Sequence, residues 1–386
     1  MLDFTFHNPT KIVFGKDKIE ELNNLIPDNA RVLILYGGGS IKKFGTLDKV
    51  KEALKGREIF EFGGIEPNPK YETLMKAAEL VKKENIDFLL AVGGGSVMDG
   101  TKFVNLAANY EGEDKTDLLN YGFTPVPVKK GLPIGTVVTL PATGSEMNGG
   151  AVITYNGGKF SVRSPLSFPT FSILDPTLTF TLPKTQVANG VVDTFIHVLE
   201  QYATYPVDAR FQDRTAEGIL KTLIEIGRAT IDNPTDYDLR ANLVWCATMG
   251  LNGLIAAGVP QDWTTHKIGH ELTAIYGIDH AKTLATVLPA LWEVRRKEKG
   301  AKLVQYAERV WDIKEGSDDE KIDLAINKTR DFFESLDMPT HLSSYGLKES
   351  DVDTVVDSLE RHGMTNLSET GDLGLDISRK VIEKAL

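Results

Sequence analysis

Four of the seven histidines fall between positions 197 and 280, and the first of these follows an aspartate by one helical turn. If NGVVDTFIHVLEQY (189–202) is helical, Val187, Val191, Phe195, Val198 and Tyr202 form one apolar stripe, while Asp193, His197 and Gln201 line another face. That pair alone leaves two readings open: an Asp–His hydrogen bond on a solvated face, or two ligands converging on one cation. The segment DWTTHKIGHELTAIYGIDH (262–280) sets His266 and His270 one turn apart, with His280 beyond a turn at Gly277. Imidazole is the commonest metal ligand, and three of them joined to a distant Asp-x3-His match a dispersed metal site. Spacing alone pairs His266 with His270. A zincin protease mechanism is excluded, because Glu271 directly follows His270 and no HExxH exists.

A second chemistry is written in glycine. GGGSVMDGTK (93–102) ends an apolar run and opens a helix near Ser96, a geometry in which backbone N–H groups hold a pyrophosphate at a helix N-terminus. Neither GxGxxG nor GxxxxGK[ST] is present, which removes the common Rossmann fingerprint and the P-loop. Two more small-residue loops, GGGS (37–40) and PATGSE (141–146), also follow strand-like runs.

The elements that carry these loops alternate. RVLILYGGGS (31–40), EIFEFGG (58–64), DFLLAVGGGS (87–96) and IGTVVTL (134–140) read as strands, with helical patterns to about Leu54 and over 70–84. This implies βαβ units and a parallel sheet, whose ligand crevice lies beyond the carboxyl ends of the strands. From about Thr181 the texture is helical, with helices expected after Pro183 and over 235–258, 263–276, 283–312, 317–336, 348–362 and 375–385. The expected organisation is an α/β domain over 1–180 and an all-helical domain over 181–386.

Composition closes off other classes. A net charge of −11 with scattered Lys and Arg leaves no basic footprint for nucleic acid. No apolar stretch approaches the roughly eighteen residues of a membrane span. The start, MLDFTFHNPTKIVFG, lacks the pattern of a secretory signal, so the expected compartment is the cytoplasm. Cys246, the single cysteine, sits among apolar residues at helical spacing and reads as packing.

Taken together, GGGSVMDGTK, TLPATGSE, GVVDTFIHVLEQY and THKIGHELTAIYGIDHA resemble the iron-containing (group III) alcohol dehydrogenase family, over nearly the whole chain. FHNPTKIVFG, YGGGSIKK, FGGIEPNP and VPQDWTTHKIGHEL are similar to its NADPH-dependent butanol dehydrogenase and broad aldehyde reductase branch. The resemblance implies a dehydroquinate synthase-like architecture: an N-terminal α/β dinucleotide-binding domain with a parallel sheet and an all-α, metal-binding C-terminal domain. It makes Asp193, His197, His266 and His280 the ligands of one divalent metal, Fe²⁺ or Zn²⁺, and leaves His270 outside the coordination sphere as the catalytic histidine. Gly94, Gly95 and Ser96 match the pyrophosphate loop. Asn68, Asp99, Thr139, Leu140, Thr143, Val152, Lys159 and Leu178 match further cofactor positions, and the family implies a homodimer.

NAD-using relatives carry an aspartate after the first strand, whereas this chain has Gly37, Gly38, Gly39 and Ser40 there, followed by Lys42 and Lys43. Without that carboxylate, backbone N–H groups, a hydroxyl and nearby ammonium groups can accept a ribose 2′-phosphate, which favours NADP(H). The expected reaction is hydride transfer between NADPH and the carbonyl of a short-chain aldehyde polarised by the metal. An NAD-dependent glycerol dehydrogenase or a dehydroquinate synthase-like enzyme on the same architecture is the alternative. The cyclase needs a basic pocket, and GVPQDWTTHKIGH offers a single lysine.

Overall fold

The computed structural model describes residues 1–386 and separates into two compact units. One comprises His7–Leu182 and Pro234–Thr248; the other comprises Met1–Phe6, Pro183–Asn233 and Met249–Leu386.

The first unit is built on eight strands: β1 (Lys11–Phe14), β2 (Arg31–Tyr36), β3 (Glu58–Phe62), β4 (Phe88–Gly93), β5 (Ile134–Val138), β6 (Gly150–Tyr155), β7 (Gly158–Arg163) and β8 (Phe171–Leu174). Six of them form a parallel sheet in the order β1-β8-β5-β4-β2-β3, and β6 pairs antiparallel with β7 in a separate hairpin. The helices are α1 (Leu22–Leu25), α2 (Ser40–Lys43), α3 (Thr46–Ala53), α4 (Tyr71–Lys83) and α5 (Gly95–Asn109). Alternate residues of the central strands serve opposite cores. Leu33, Leu35, Leu89 and Ala91 join Leu74, Ala77, Phe103 and Val104 on one face, while Val32, Ile34, Leu90 and Val92 join Leu47, Val50 and Leu54 on the other. Burial on both faces explains why these strands read as unbroken apolar runs. Because β2, β4 and β5 are parallel neighbours, the three small-residue loops leave the sheet along one edge.

The second unit is helical: α6 (Lys184–Tyr202), α7 (Arg210–Asp232), α9 (Thr264–Tyr276), α10 (His280–Val294), α11 (Arg296–Arg309), α12 (Asp318–Ser335), α13 (Val352–Arg361) and α14 (Leu375–Ala385). The intervening α8 (Tyr237–Gly250) contributes most of its length to the first unit, where Arg240 donates to Thr179 O at 3.0 Å and Thr248 to Glu146 Oε1 at 2.6 Å. No helix is long and apolar enough to cross a membrane.

Several element boundaries differ from the sequence expectation. The helix expected over 283–312 is two, interrupted at Arg295, whose side chain is buried and forked onto Asp372 at 2.7 and 2.8 Å. The helix expected over 235–258 ends at Gly250, ahead of a turn-rich stretch with Gly253 at φ 91° and Gly258 at φ 71°. The helix expected over 348–362 is an α-helix only from Val352, after a 3₁₀ turn at Glu349–Asp351. Helix α7, the β6–β7 hairpin and strand β8 were not anticipated as elements. The KIVF run near the start forms β1, which pairs with β8 of its own chain.

Candidate active site

In the helical unit, α6 is buried almost all round its last four turns. Its polar stripe therefore faces no solvent: Asp193 is 4% exposed and His197 6%. Gln201 leaves the cluster, donating to His197 O at 2.7 Å and Gly250 O at 2.8 Å. Helix α9 brings His266 to the same place. Gly277, at φ 69°, ends α9 in the left-handed conformation that glycine adopts freely, and Asp279 then starts α10 with His280 as its first residue.

Asp193 Oδ1 is the common point of the cluster. His197 Nδ1 and His266 Nε2 both lie 3.6 Å from it and His280 Nε2 lies 3.7 Å away. Ligand atoms around a tetrahedral cation with bonds near 2.0–2.2 Å are separated by about 3.4 Å. Asp193 Oδ1, His197 Nδ1 and His266 Nε2 are buried and make no hydrogen bond. Buried polar atoms without partners are expensive, and ligand atoms of Asp193, His266 and His280 all lie within 4.8 Å of one another, with His197 added through its contact to Asp193. One carboxylate and three imidazoles suit Fe²⁺ or Zn²⁺ in charge and donor type. The residues fit a metal.

The electrostatics of the cluster follow from its burial and its two carboxylates. Burial opposes ionisation of Asp193, but the charges of His197, His280 and His266 overcome it and hold the carboxyl below its ordinary range. Burial pushes His197 down to about 4 against the pull of Asp193, so its ring is neutral and able to donate a lone pair at neutral pH. Burial also acts against a charged His266, yet Glu200 and Asp193 raise it to about 9.

His270 is half-buried, with its ring centroid 6.1 Å from that of His266 and 5.0 Å from that of His280. The ring of His266 instead lies 4.4 Å from that of His197 and 5.1 Å from that of His280. Trp263 stands edge-on to His197 and His266 and gives the cluster an apolar wall. Glu271 is turned elsewhere, accepting from Ser358 Oγ at 2.5 Å and pairing with His362 Nδ1 at 2.9 Å. Glu200 was missed by the sequence reading. The available signal was a carboxylate in an apolar stretch of α6 with no lysine or arginine three or four residues away.

In the α/β unit, α5 begins without a side-chain cap, which leaves its N-terminal N–H groups free to serve an anion. The loops around it are in close contact. A Cβ on Gly95 would stand only 2.5 Å from Thr143 Cγ2, so that position requires glycine for the approach, while one on Gly94 would meet Leu140 Cβ tightly at 3.1 Å. Thr139 N donates to Gly93 O at 3.0 Å. Asn68, at φ 58°, donates its N–H to Ser96 Oγ at 3.2 Å, and its side chain accepts from Lys159 Nζ at 2.8 Å. Asp99 is engaged internally, accepting from Ser145 Oγ at 2.6 Å and Val152 N at 2.8 Å.

Lys102, also missed from sequence, is fully buried and donates to Ser145 Oγ, Asn148 Oδ1 and Gly150 O at 2.8, 3.1 and 2.8 Å. Burial brings it down to about 8 against the opposing charges of Asp99 and Glu146. These bonds tie α5 to the 143–150 loop. At the end of β2, Gly37 O accepts from Gly64 N at 3.1 Å, and Gly39, at φ 111°, precedes Ser40 at the start of α2. Leu178 packs on the cluster that contains Tyr36, Ile41 and Val92.

Glycine loops at the carboxyl edge of a parallel sheet and a buried carboxylate–imidazole cluster on a helical scaffold are the equipment of a metal-dependent dehydrogenase. The chain belongs to the iron-containing alcohol dehydrogenase family. Residues 9–176 match the family's iron-containing alcohol dehydrogenase model and residues 187–369 its C-terminal model. It is 59% identical to the NADPH-dependent aldehyde reductase YqhD of Escherichia coli, with all of both chains aligned. A probable NADH-dependent butanol dehydrogenase of Bacillus subtilis is 43% identical over 94% of this chain and 95% of its own. The crystal structure of YqhD superposes with a TM-score of 0.98 at 58% identity, covering 100% of this chain and 99% of the other.

Proposed function

We propose that this chain is an NADPH-dependent aldehyde reductase acting on short-chain aldehydes at a divalent metal centre held by Asp193, His197, His266 and His280. The observation that carries the reading is the meeting of four side chains at Asp193 Oδ1, three of whose atoms are buried and hydrogen-bond to nothing. The identity to YqhD supports the aldehyde and the cofactor.

When bound, the cation supplies Lewis acidity toward a carbonyl oxygen and the nicotinamide supplies the hydride. The chain's own residues do the remaining work. Asp193 offsets positive charge at the centre, and the edge of Trp263 limits water beside His197 and His266. His270, half-buried beside His280, gives a proton to the product oxygen or orders water and substrate there. Gly94, Gly95 and Ser96 receive the pyrophosphate at the start of α5, with Asn68, Asp99, Thr139, Leu140, Thr143, Val152, Lys159 and Leu178 shaping the surrounding cofactor surface. The Gly37–Ser40 turn takes the 2′-phosphate.

The chain works as a cytoplasmic homodimer in this reading. Edge strand β1 is paired on one side only, and Phe14 packs on Trp245 with both rings partly exposed. The decisive experiment is metal analysis of the purified protein combined with oxidation of NADPH and NADH by a panel of short-chain aldehydes. Turnover with NADPH that disappears on chelation and returns with Fe²⁺ or Zn²⁺ is expected. A metal-loaded protein inert toward every aldehyde refutes the proposal.

A further inference from the structure

Glu200 lies on α6 one turn after His197 and is 3% exposed. Its only ion-pair partner is His266. The carboxylate grips that residue at two points: Oε2 meets the ring at Nδ1, and Oε1 accepts the backbone N–H at 3.2 Å. An acceptor at Nδ1 keeps a proton on that nitrogen and turns Nε2 toward Asp193 Oδ1, 3.6 Å away, so that Nε2 is the atom that would meet a cation there. The backbone contact fixes where α9 delivers the ring.

The start of α9 is pinned independently. Asp262 Oδ1 accepts from Thr264 N at 2.9 Å, and Asp262 N donates to Glu200 O at 2.9 Å. The charge of Asp262 is matched by Lys299, whose ammonium sits 2.8 Å from Asp262 Oδ2 and is buried to 3% exposure. Lys299 thus serves Asp262 and Glu369, and leaves the imidazole of His266 as the ion-pair partner of Glu200. A fully buried carboxylate that pairs with no lysine or arginine is a poor way to fill space. Its two-point hold on one imidazole is a good way to orient a ligand.

From this geometry we propose that Glu200 is the positioning residue of the metal centre: it sets the tautomer and direction of His266 and so strengthens the hold on a divalent cation. The inference rests on the metal reading above.

The test uses the full chain stripped of metal and titrated with Co²⁺ or Zn²⁺ against a chromophoric chelator. The wild type is compared with Glu200→Gln, which keeps the shape, and Glu200→Leu, which removes the acceptor. Loss of such an outer contact weakens metal binding by about 10–100-fold. The expected result is a loss of that size, larger for leucine, with an altered Co²⁺ absorption spectrum and an unchanged circular dichroism spectrum of the metal-free chain. If the leucine variant does not fold, the glutamine variant carries the test. Two variants that bind Co²⁺ as tightly as the wild type, with the same spectrum, overturn the assignment. So does a lowered melting temperature of the metal-free chain with unaltered affinity in the folded fraction. A wild-type chain that binds neither ion overturns the proposed function and this inference with it.

Discussion

Cofactor choice is the part of the proposal most open to a single substitution, and the Gly37–Ser40 turn shows where to make it. Gly39 is a poor site for a side chain, because its φ of 111° lies where L residues are strained. Gly38 has no such φ, and a Cβ built there meets nothing within 4 Å, so Gly38→Asp places a carboxylate in open space beside Ser40. The nearest cations do not cancel it in advance. Lys42 rests 4.9 Å above the Tyr36 ring, and Tyr36 in turn donates to Glu61 at 3.1 Å, a carboxylate already paired with Lys51. Two unit charges about 6 Å apart repel by about 1.4–2.8 kcal/mol at an effective dielectric of about 40 down to 20. At about 1.4 kcal/mol per decade, that is roughly a ten- to hundred-fold loss of kcat/KM for NADPH. NADH has no 2′-phosphate to repel, and its ribose hydroxyls can donate to the new carboxylate, so its kcat/KM should hold or rise. The assay is kcat/KM for both cofactors at one fixed aldehyde concentration, with thermal unfolding as a check on the fold. A folded variant with an unchanged NADPH/NADH ratio shows that this turn does not receive the 2′-phosphate, and the NADP assignment then loses its physical basis.

The other expectations concern the metal, the helical scaffold and the cysteine. Asp193→Ala and His266→Ala should lose most bound metal and turnover by elemental analysis and NADPH oxidation, whereas His270→Ala should keep its metal and lose about a hundred-fold or more in turnover, the usual worth of a placed acid. Adding Zn²⁺ at 100-fold above its dissociation constant should raise the unfolding free energy by about 2.7 kcal/mol, measured by denaturant melts, and should not do so in Asp193→Ala. Ser317 and Glu320 form a reciprocal capping box at the start of α12, so Ser317→Ala should cost about 1 kcal/mol of stability and leave turnover unchanged. Burial pushes the Cys246 thiol up to about 12, so it stays protonated at pH 8. Iodoacetamide should therefore leave it unlabelled in the native protein at that pH and label it after unfolding.

The fold was legible wherever one physical signal dominated. Strands β2 and β4 are buried on both faces and start within a residue of expectation, stopping short only where the glycines of the expected runs begin the loops, and helices α12 and α14 carry clean helical periodicity, so their boundaries fall within a residue or two of expectation. Strand β8 is four residues of FSIL between prolines, and its identity depends on pairing with β1 and β5, which local sequence does not encode. The break at Arg295 is similarly non-local. Nothing in LWEVRRKEKG forbids a continuous helix; the interruption coincides with a buried guanidinium whose carboxylate partner lies 77 residues away.

The site divides along the same line. Asp193 and His197 are one turn apart on one helix, so their meeting is visible in the spacing, but the choice between His270 and His280 as the companion of His266 is not. On a straight helix His270 is the neighbour of His266. The chain instead ends α9 at Gly277 and begins a new helix at His280, and that reversal carries His280 Nε2 to 3.7 Å from Asp193 Oδ1, while His270 stays one turn along α9. The left-handed glycine thus determines which imidazole joins the carboxylate. Replacing its conformational freedom would disturb the Asp193-centred cluster without touching any of its side chains. Glu200 and Lys102 lie at the far end of this scale. Their partners, His266 and the 145–150 loop, are 66 and 43–48 residues away. In sequence each is only a charged residue in a helix, and it is burial against one distant acceptor or donor set that turns it into part of a site.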